Sequence, residues 1–148
     1  MLISFSNRLT AFEHLGVMWP DTAWIWIGEG QCLTAMGRQD DALKALDKAT
    51  TMNPQSMDGW SIKGIILAKM NRYDEALKAC DKAFEIDPKS VGPVYNRACV
   101  YSVKGDKAKA LAELAKAIEM DSGIKAAAPK DEDFKSLWND PEFKKLTQ

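Results

Sequence analysis

Apolar residues return along this chain with the spacing of one helix face, and polar or glycine positions interrupt them at regular intervals. Trp60, Gly64, Leu67 and Ala68 stand at i, i+4, i+7 and i+8, which is one apolar stripe on a helix. Asn71 follows, where Gly37 and Gly105 stand in neighbouring stretches. Both residue types accept the left-handed geometry that closes a helix. Ala76, Leu77, Cys80 and Ala83 then form the stripe of a second helix, and Asp87-Pro88 stops it. Proline cannot continue a helix and disfavours helical geometry in the residue before it. The pattern predicts antiparallel helix pairs.

The pairs repeat. A shift of about 34 residues, a period diagnostic of stacked helical units, aligns Trp26, Trp60 and Val94. It also aligns Gly30, Gly64 and Ala98, then Leu33, Leu67 and Tyr101. Ala42, Ala76 and Ala110 are identical, as are Leu43, Leu77 and Leu111, Lys48, Lys82 and Lys116, and Ala49, Ala83 and Ala117. Pro54 and Pro88 close two units, and Ser122 takes that place in the third. Small residues at 30, 64, 42, 76 and 110 predict close approach between helix backbones.

These residues resemble the tetratricopeptide repeat (TPR), with its W-x2-L-G-x2-Y…A-x3-F…A…P pattern. The first unit supplies Trp26, Gly30, Leu33, Ala42, Leu46, Ala49 and Pro54. The second supplies Trp60, Gly64, Leu67, Ala76, Cys80, Ala83 and Pro88; the third, Ala98, Tyr101, Ala110, Leu114 and Ala117. Glu29, Lys63 and Arg97 occupy the motif's leucine column, a departure from the pattern. The resemblance implies an all-α, right-handed α-solenoid. Its expected divisions are a partial repeat with connector over 1–22, repeats over 23–56, 57–90 and 91–124, and capping helices over 125–148.

The flanks follow the same register. Phe12, Leu15 and Pro20 fall in the columns of Leu46, Ala49 and Pro54, so residues 5–18 read as the second helix of a repeat. Leu2, Ile3, Phe5, Leu9 and Phe12 give it an apolar face with little in its own half-repeat to cover. That face predicts packing against a second copy, as a homodimer, or against a repeat upstream. At the other end Ile124 to Ala128 begins a helix that Pro129 interrupts. The stretch KDEDFKSLWNDPEFKKL reads as two short helices, the first capped by Asp131 or Asp133 and the second by Asn139 or Asp140. Phe134, Leu137, Trp138, Phe143 and Leu146 would cover the exposed end of the stack.

Charge and composition narrow the function. Lysine plus arginine total 20 against 21 acidic residues, a net charge of −1. This balance argues against a nucleic-acid or anionic-membrane surface. Acids at the starts of second helices (Asp40, Asp41, Asp74, Glu75) and lysines further along (Lys44, Lys48, Lys78, Lys82) read as a solvated outer face complementing the helix dipole. No apolar run approaches the roughly 20 residues of a membrane span, and the N-terminus lacks a signal-peptide core. With three unpaired-looking cysteines, the expected setting is cytoplasmic and reducing.

Chemistry is sparse. The single histidine, His14, precludes most zinc or triad arrangements. Gly28-Glu29-Gly30 lacks the strand and third glycine of a phosphate loop and belongs to packing. Asp131, Glu132 and Asp133 lack a calcium loop's glycine and closing glutamate, so they read as helix caps. Cys80 sits in a core column; Cys99 is expected to be the more accessible thiol. No catalytic residue, metal ligand or cofactor is assigned, and the chain reads as no enzyme.

The resemblance adds a surface. First helices of TPR repeats line a concave groove that commonly holds an extended or helical peptide. Its columns select Trp24, Ile27, Gln31 and Thr34, then Asp58, Ile62, Ile65 and Lys69, then Tyr95, Asn96, Cys99 and Ser102. One TPR subclass grips the C-terminal carboxylate of chaperones with lysines, asparagines and an arginine. The corresponding positions here are Ile27, Gln31, Ile62, Gly92 and Asn96, so no chaperone-tail clamp is expected. An apolar groove of Trp24, Ile27, Ile62, Ile65 and Tyr95, with Gln31, Lys69, Asn96 and Cys99 beside it, predicts a scaffold for a partner protein or peptide. Asn96 and Gln31 would bond the peptide backbone. Two alternatives stay open: a self-associating module whose groove is filled by its own terminus or a second copy, and a recruiting subunit of an enzyme complex.

Overall fold

Seven helices of thirteen or fourteen residues run in sequence: α1 (Phe5–Met18), α2 (Ala23–Ala35), α3 (Gln39–Met52), α4 (Met57–Lys69), α5 (Tyr73–Ile86), α6 (Val91–Lys104) and α7 (Lys107–Met120). The computed structural model describes residues 4–18 and 22–148. Leu2, Ile3 and Pro20, part of the expected N-terminal pattern, lie outside the described residues. Each of α2, α4 and α6 packs along the helix that follows it, and each pair stacks on the next. α1 packs on α2 as α3 packs on α4 and α5 on α6, which is the placement of a second helix of a preceding unit. The described residues form no strand, and the architecture is an all-α solenoid of antiparallel helix pairs.

Each helix ends where its chemistry requires. Gly37, Asn71 and Gly105 have φ of 75°, 59° and 87°, the left-handed turn that leads α2, α4 and α6 into their partners. Ser56 and Asp106 accept from the backbone N–H of Gly59 at 3.1 Å and of Lys109 at 3.2 Å, capping α4 and α7.

The small columns sit at the closest approaches. A Cβ on Gly30 would come within 2.9 Å of the Leu46 side chain, and one on Gly64 within 2.8 Å of Cys80 Sγ. Ala42, Ala76 and Ala110 are fully buried opposite them. Gly28 has its own reason to lack a side chain, because the Phe12 ring of α1 fills the space a Cβ would need.

Two of the three polar residues in the leucine column are served by neighbouring helices. Lys63 of α4 pairs with Asp47 of α3 at 2.7 Å, its nitrogen 5.0 Å from the Trp60 ring centre. Arg97 of α6 reaches Asp81 of α5 and Glu113 of α7, each at 2.9 Å, and lies over the Phe84 ring. A guanidinium can bridge two carboxylates because its donors point several ways from one plane. Among the described residues, Glu29 of α2 has no such partner: its Oε2 is buried without a hydrogen bond. Burial raises its pKa and Glu13 of α1 adds to that, while Lys48 and Arg38 pull the other way.

The C-terminal segment holds the two short helices expected, the first of them 3-10 and the second α-helical. α8 (Ile124–Ala127) is one turn, followed by 3-10 turns at Ala128–Lys130 and Glu132–Leu137, and only α9 (Pro141–Thr147) is an α-helix of any length. Of the expected caps, Asp131 accepts from Asp133 N–H at 3.0 Å and Asp140 from the N–H groups of Glu142 and Phe143. Phe134, Leu137 and Phe143 are buried against Ala98, Leu111 and Leu114.

Candidate functional site

α2, α4 and α6 stand in a row, and the Glu132–Leu137 turn continues it past α6. Between α4, α6 and that C-terminal segment lies a cleft of about 440 Å³. Ile65, Ala68 and Lys69 form one wall, Tyr95, Asn96, Cys99, Val100 and Val103 the other, and Asp131 and Asp133 enter from the end. Ile65 and Val103 are more than a third exposed, so the mouth is apolar and wet.

The cleft's end wall is built by one long-range contact. Tyr95 hydroxyl donates to Asp131 Oδ2 at 2.6 Å, and its ring meets Phe134 edge-on with centres 5.7 Å apart. Phe134 in turn packs on Phe143 at 5.7 Å. Burial and the Asp131 bond both raise the Tyr95 pKa, which keeps the hydroxyl a donor. Cys99 Sγ lies 4.0 Å from the same oxygen; burial first and then the two aspartates raise its pKa, so the thiol stays protonated. Cys99 is the most exposed of the three cysteines at 8%, as expected relative to Cys80 at 0%, although all three are buried. Burial holds the Cys80 thiol at about 12.

The cleft brings together Ile65, Lys69, Tyr95, Asn96 and Cys99 among the residues selected from the sequence. Ile27 and Ile62 are half-buried against the Leu33, Leu46 and Ile66 core instead. Gln31 lies elsewhere, in a shallow cleft of about 500 Å³ between α1 and α2 lined by Phe5, Arg8, Phe12 and Gly28. Trp24 is 57% exposed and stands among neither set of lining residues. Sequence columns missed Asp131 and Asp133, because these reach the groove from a segment outside the repeats. The acidic run was visible and the adjacent Phe134 and Leu137 signalled a cover over the end of the stack, but not that the aspartates would line the groove.

Tetratricopeptide repeat models match residues 58–90 and residues 23–56 and 93–123. No curated protein matches the chain. Several solved structures share the fold. A MamA crystal structure superposes with a TM-score of 0.77 at 17% identity, covering 97% of this chain and 82% of that one. TTC0263, a thermophilic TPR protein in Thermus thermophilus, gives 0.79 at 18% identity over 96% of this chain and 79% of that one. YrrB, described as a TPR protein with an unusual peptide-binding site, gives 0.74 at 26% identity over 86% of this chain and 66% of that one.

Proposed function

The chain belongs to the tetratricopeptide repeat family, and from that premise we propose that it holds a peptide segment of a partner protein in the cleft between α4 and α6. The fold supports a protein-interaction scaffold, and the cleft supplies the place. One observation carries the reading: five residues drawn from the groove columns converge on a single 440 Å³ opening with an apolar mouth and polar groups inside. Lys69 and Asn96 offer donors and an acceptor for a peptide backbone, while Ile65 and Val103 offer apolar surface. YrrB, which resembles this chain, is itself described as having a peptide-binding site. The reading assigns the chain no catalytic step.

A photo-crosslinking amino acid placed at Ile65 tests this against the same group at Lys82 on the outer face. The expected result is a discrete adduct from position 65 alone. Equal labelling from both positions would contradict the cleft as the docking place.

The N-terminal end favours a second reading alongside the first. Phe5, Met18 and Trp24 are each more than half exposed, large apolar side chains spread along this end that a second copy of the chain would cover. Sedimentation across a concentration series tests it, and a strict monomer at the highest concentration would refute it.

A further inference from the structure

Charge in the cleft is unbalanced. Asp131 and Asp133 face Lys69, the one cation among the described lining residues. Several carboxylates at helix starts elsewhere pair with cations: Arg38 with Asp41, Arg72 with Glu75 and Lys104 with Asp74. The C-terminal segment does so too, with Lys107 on Asp140 and Lys135 on Glu132. Among the described residues Asp131 and Asp133 form no ion pair. Asp131 is bound by neutral donors, the Tyr95 hydroxyl, the Cys99 thiol and the Asp133 backbone N–H. Asp133 is exposed, but partial desolvation in the cleft and then Asp131 raise its pKa, while Lys69 and the Cys99 thiol counter them. Two carboxylates against the single cation Lys69, beside exposed Ile65 and Val103, leave a surface shaped for a positive group on an apolar chain.

We propose that the cleft takes a partner segment that sets a lysine or arginine side chain against Asp133 and Asp131, with apolar neighbours of that residue on Ile65 and Val103. This inference rests on the peptide-binding reading above and adds the chemistry of the occupant. It gives this groove the opposite polarity to one that grips an acidic peptide end. A metal ion is the competing occupant, since Cys99, Asp131 and Asp133 can each bring one ligand atom within 4.8 Å of the others. A thiolate ligand would have to form where burial and two carboxylates oppose it. It would also compete with Tyr95 for Asp131 Oδ2. A long cationic side chain brings its own N–H donors and leaves the Cys99 thiol protonated.

The test uses the intact chain, with EDTA present, on immobilised end-blocked peptide pools randomised around a fixed central residue flanked by leucines. The central residue is arginine, lysine, norleucine or glutamate. The expected result is preferential capture of the arginine and lysine pools. Asp133→Asn should weaken that capture about tenfold, the scale of one charge-assisted bond, while the norleucine pool is unaffected. Asp133 is chosen because Asp131 also holds the C-terminal segment in place, and circular dichroism confirms that each variant is folded. Ile65→Asp separates the two levels of the argument. Loss of all capture in Ile65→Asp with no cation preference in the native chain would overturn the inference and leave the groove reading standing. Capture indifferent to Ile65→Asp, or no capture of any pool, would overturn both. Cation-pool capture seen only without EDTA would assign the acidic pair to a metal and overturn the inference.

Discussion

Phe134, Leu137 and Phe143 are buried at the C-terminal end of the stack, whereas Phe5, Met18 and Trp24 stand mostly in water at the N-terminal end. The same contrast runs through the polar contacts. At the α5–α6 junction Arg97 bridges Asp81 and Glu113. At the α1–α2 junction the equivalent column holds Glu29, whose carboxylate leaves one buried oxygen unbonded. Repeat stacks owe their stability to each unit and its interface with the next, so the two ends differ in how firmly their last element is held. The C-terminal segment is keyed into the core and shapes the binding cleft. α1 rests on Leu9 and on Phe12 against Gly28.

The largest expected effect separates the two ends directly. Phe134→Ala removes a fully buried ring and should cost about 3–5 kcal/mol in urea unfolding. Phe12→Ala, at a half-buried position, should cost less than half of that. Equal losses would remove the asymmetry.

Next comes the shared column. Arg97→Met leaves Glu113 without its guanidinium and should destabilise by about 2–4 kcal/mol, below the range for a wholly buried pair because Asp81 keeps its water. Glu113 retains Lys116 at 2.8 Å, which also softens the loss. Glu29→Gln should act in the other direction and stabilise the chain at neutral pH, by well under about 1 kcal/mol after solvent screening. The sign follows from the raised pKa. A carboxyl that is harder to ionise when folded opposes folding above its folded pKa, and the penalty fades as pH falls toward the usual carboxylate value of 4.5. Asp41, Asp74, Glu75, Asp106 and Asp140 have lowered pKa values, chiefly from hydrogen bonds to cations or backbone, so their support fades below the ordinary carboxylate range. Melting curves from neutral to mildly acid pH should therefore show Glu29→Gln gaining most at the neutral end and nothing at the acid end. A gain independent of pH would assign it to something other than the carboxylate.

The smallest effect concerns α1 itself. Phe5→Ser should leave the melting temperature almost unchanged while weakening any self-association seen by sedimentation. A large drop in melting temperature would mean that Phe5 already has cover within the chain.

The repeat made the helices legible, because each column carries the same packing demand in successive units. Gly30 and Gly64 announce a close approach, and Gly37, Asn71 and Gly105 announce the turns. The leucine-column substitutions were visible but their purpose was not, since Lys63 and Arg97 find partners on adjacent helices, not within their own column. Columns also placed Gln31 beside Ile65, although α1 draws Gln31 into a separate cleft. The end wall was the least legible part. Asp131 meets Tyr95 across 36 positions of sequence, and two 3-10 turns around Pro129 and beyond it set that return. Neither hydrophobic period nor capping residues specify where such turns dock.

Native-state hydrogen exchange read by mass spectrometry tests the asymmetry between the ends most directly, because it reports opening of each helix separately. The account predicts that α1 amides exchange through a local opening well below the global unfolding free energy, while α6, α7 and the buried turn around Phe134 exchange together near the global limit. Protection of α1 equal to that of α6, or a C-terminal segment that opens more readily than α1, would contradict it.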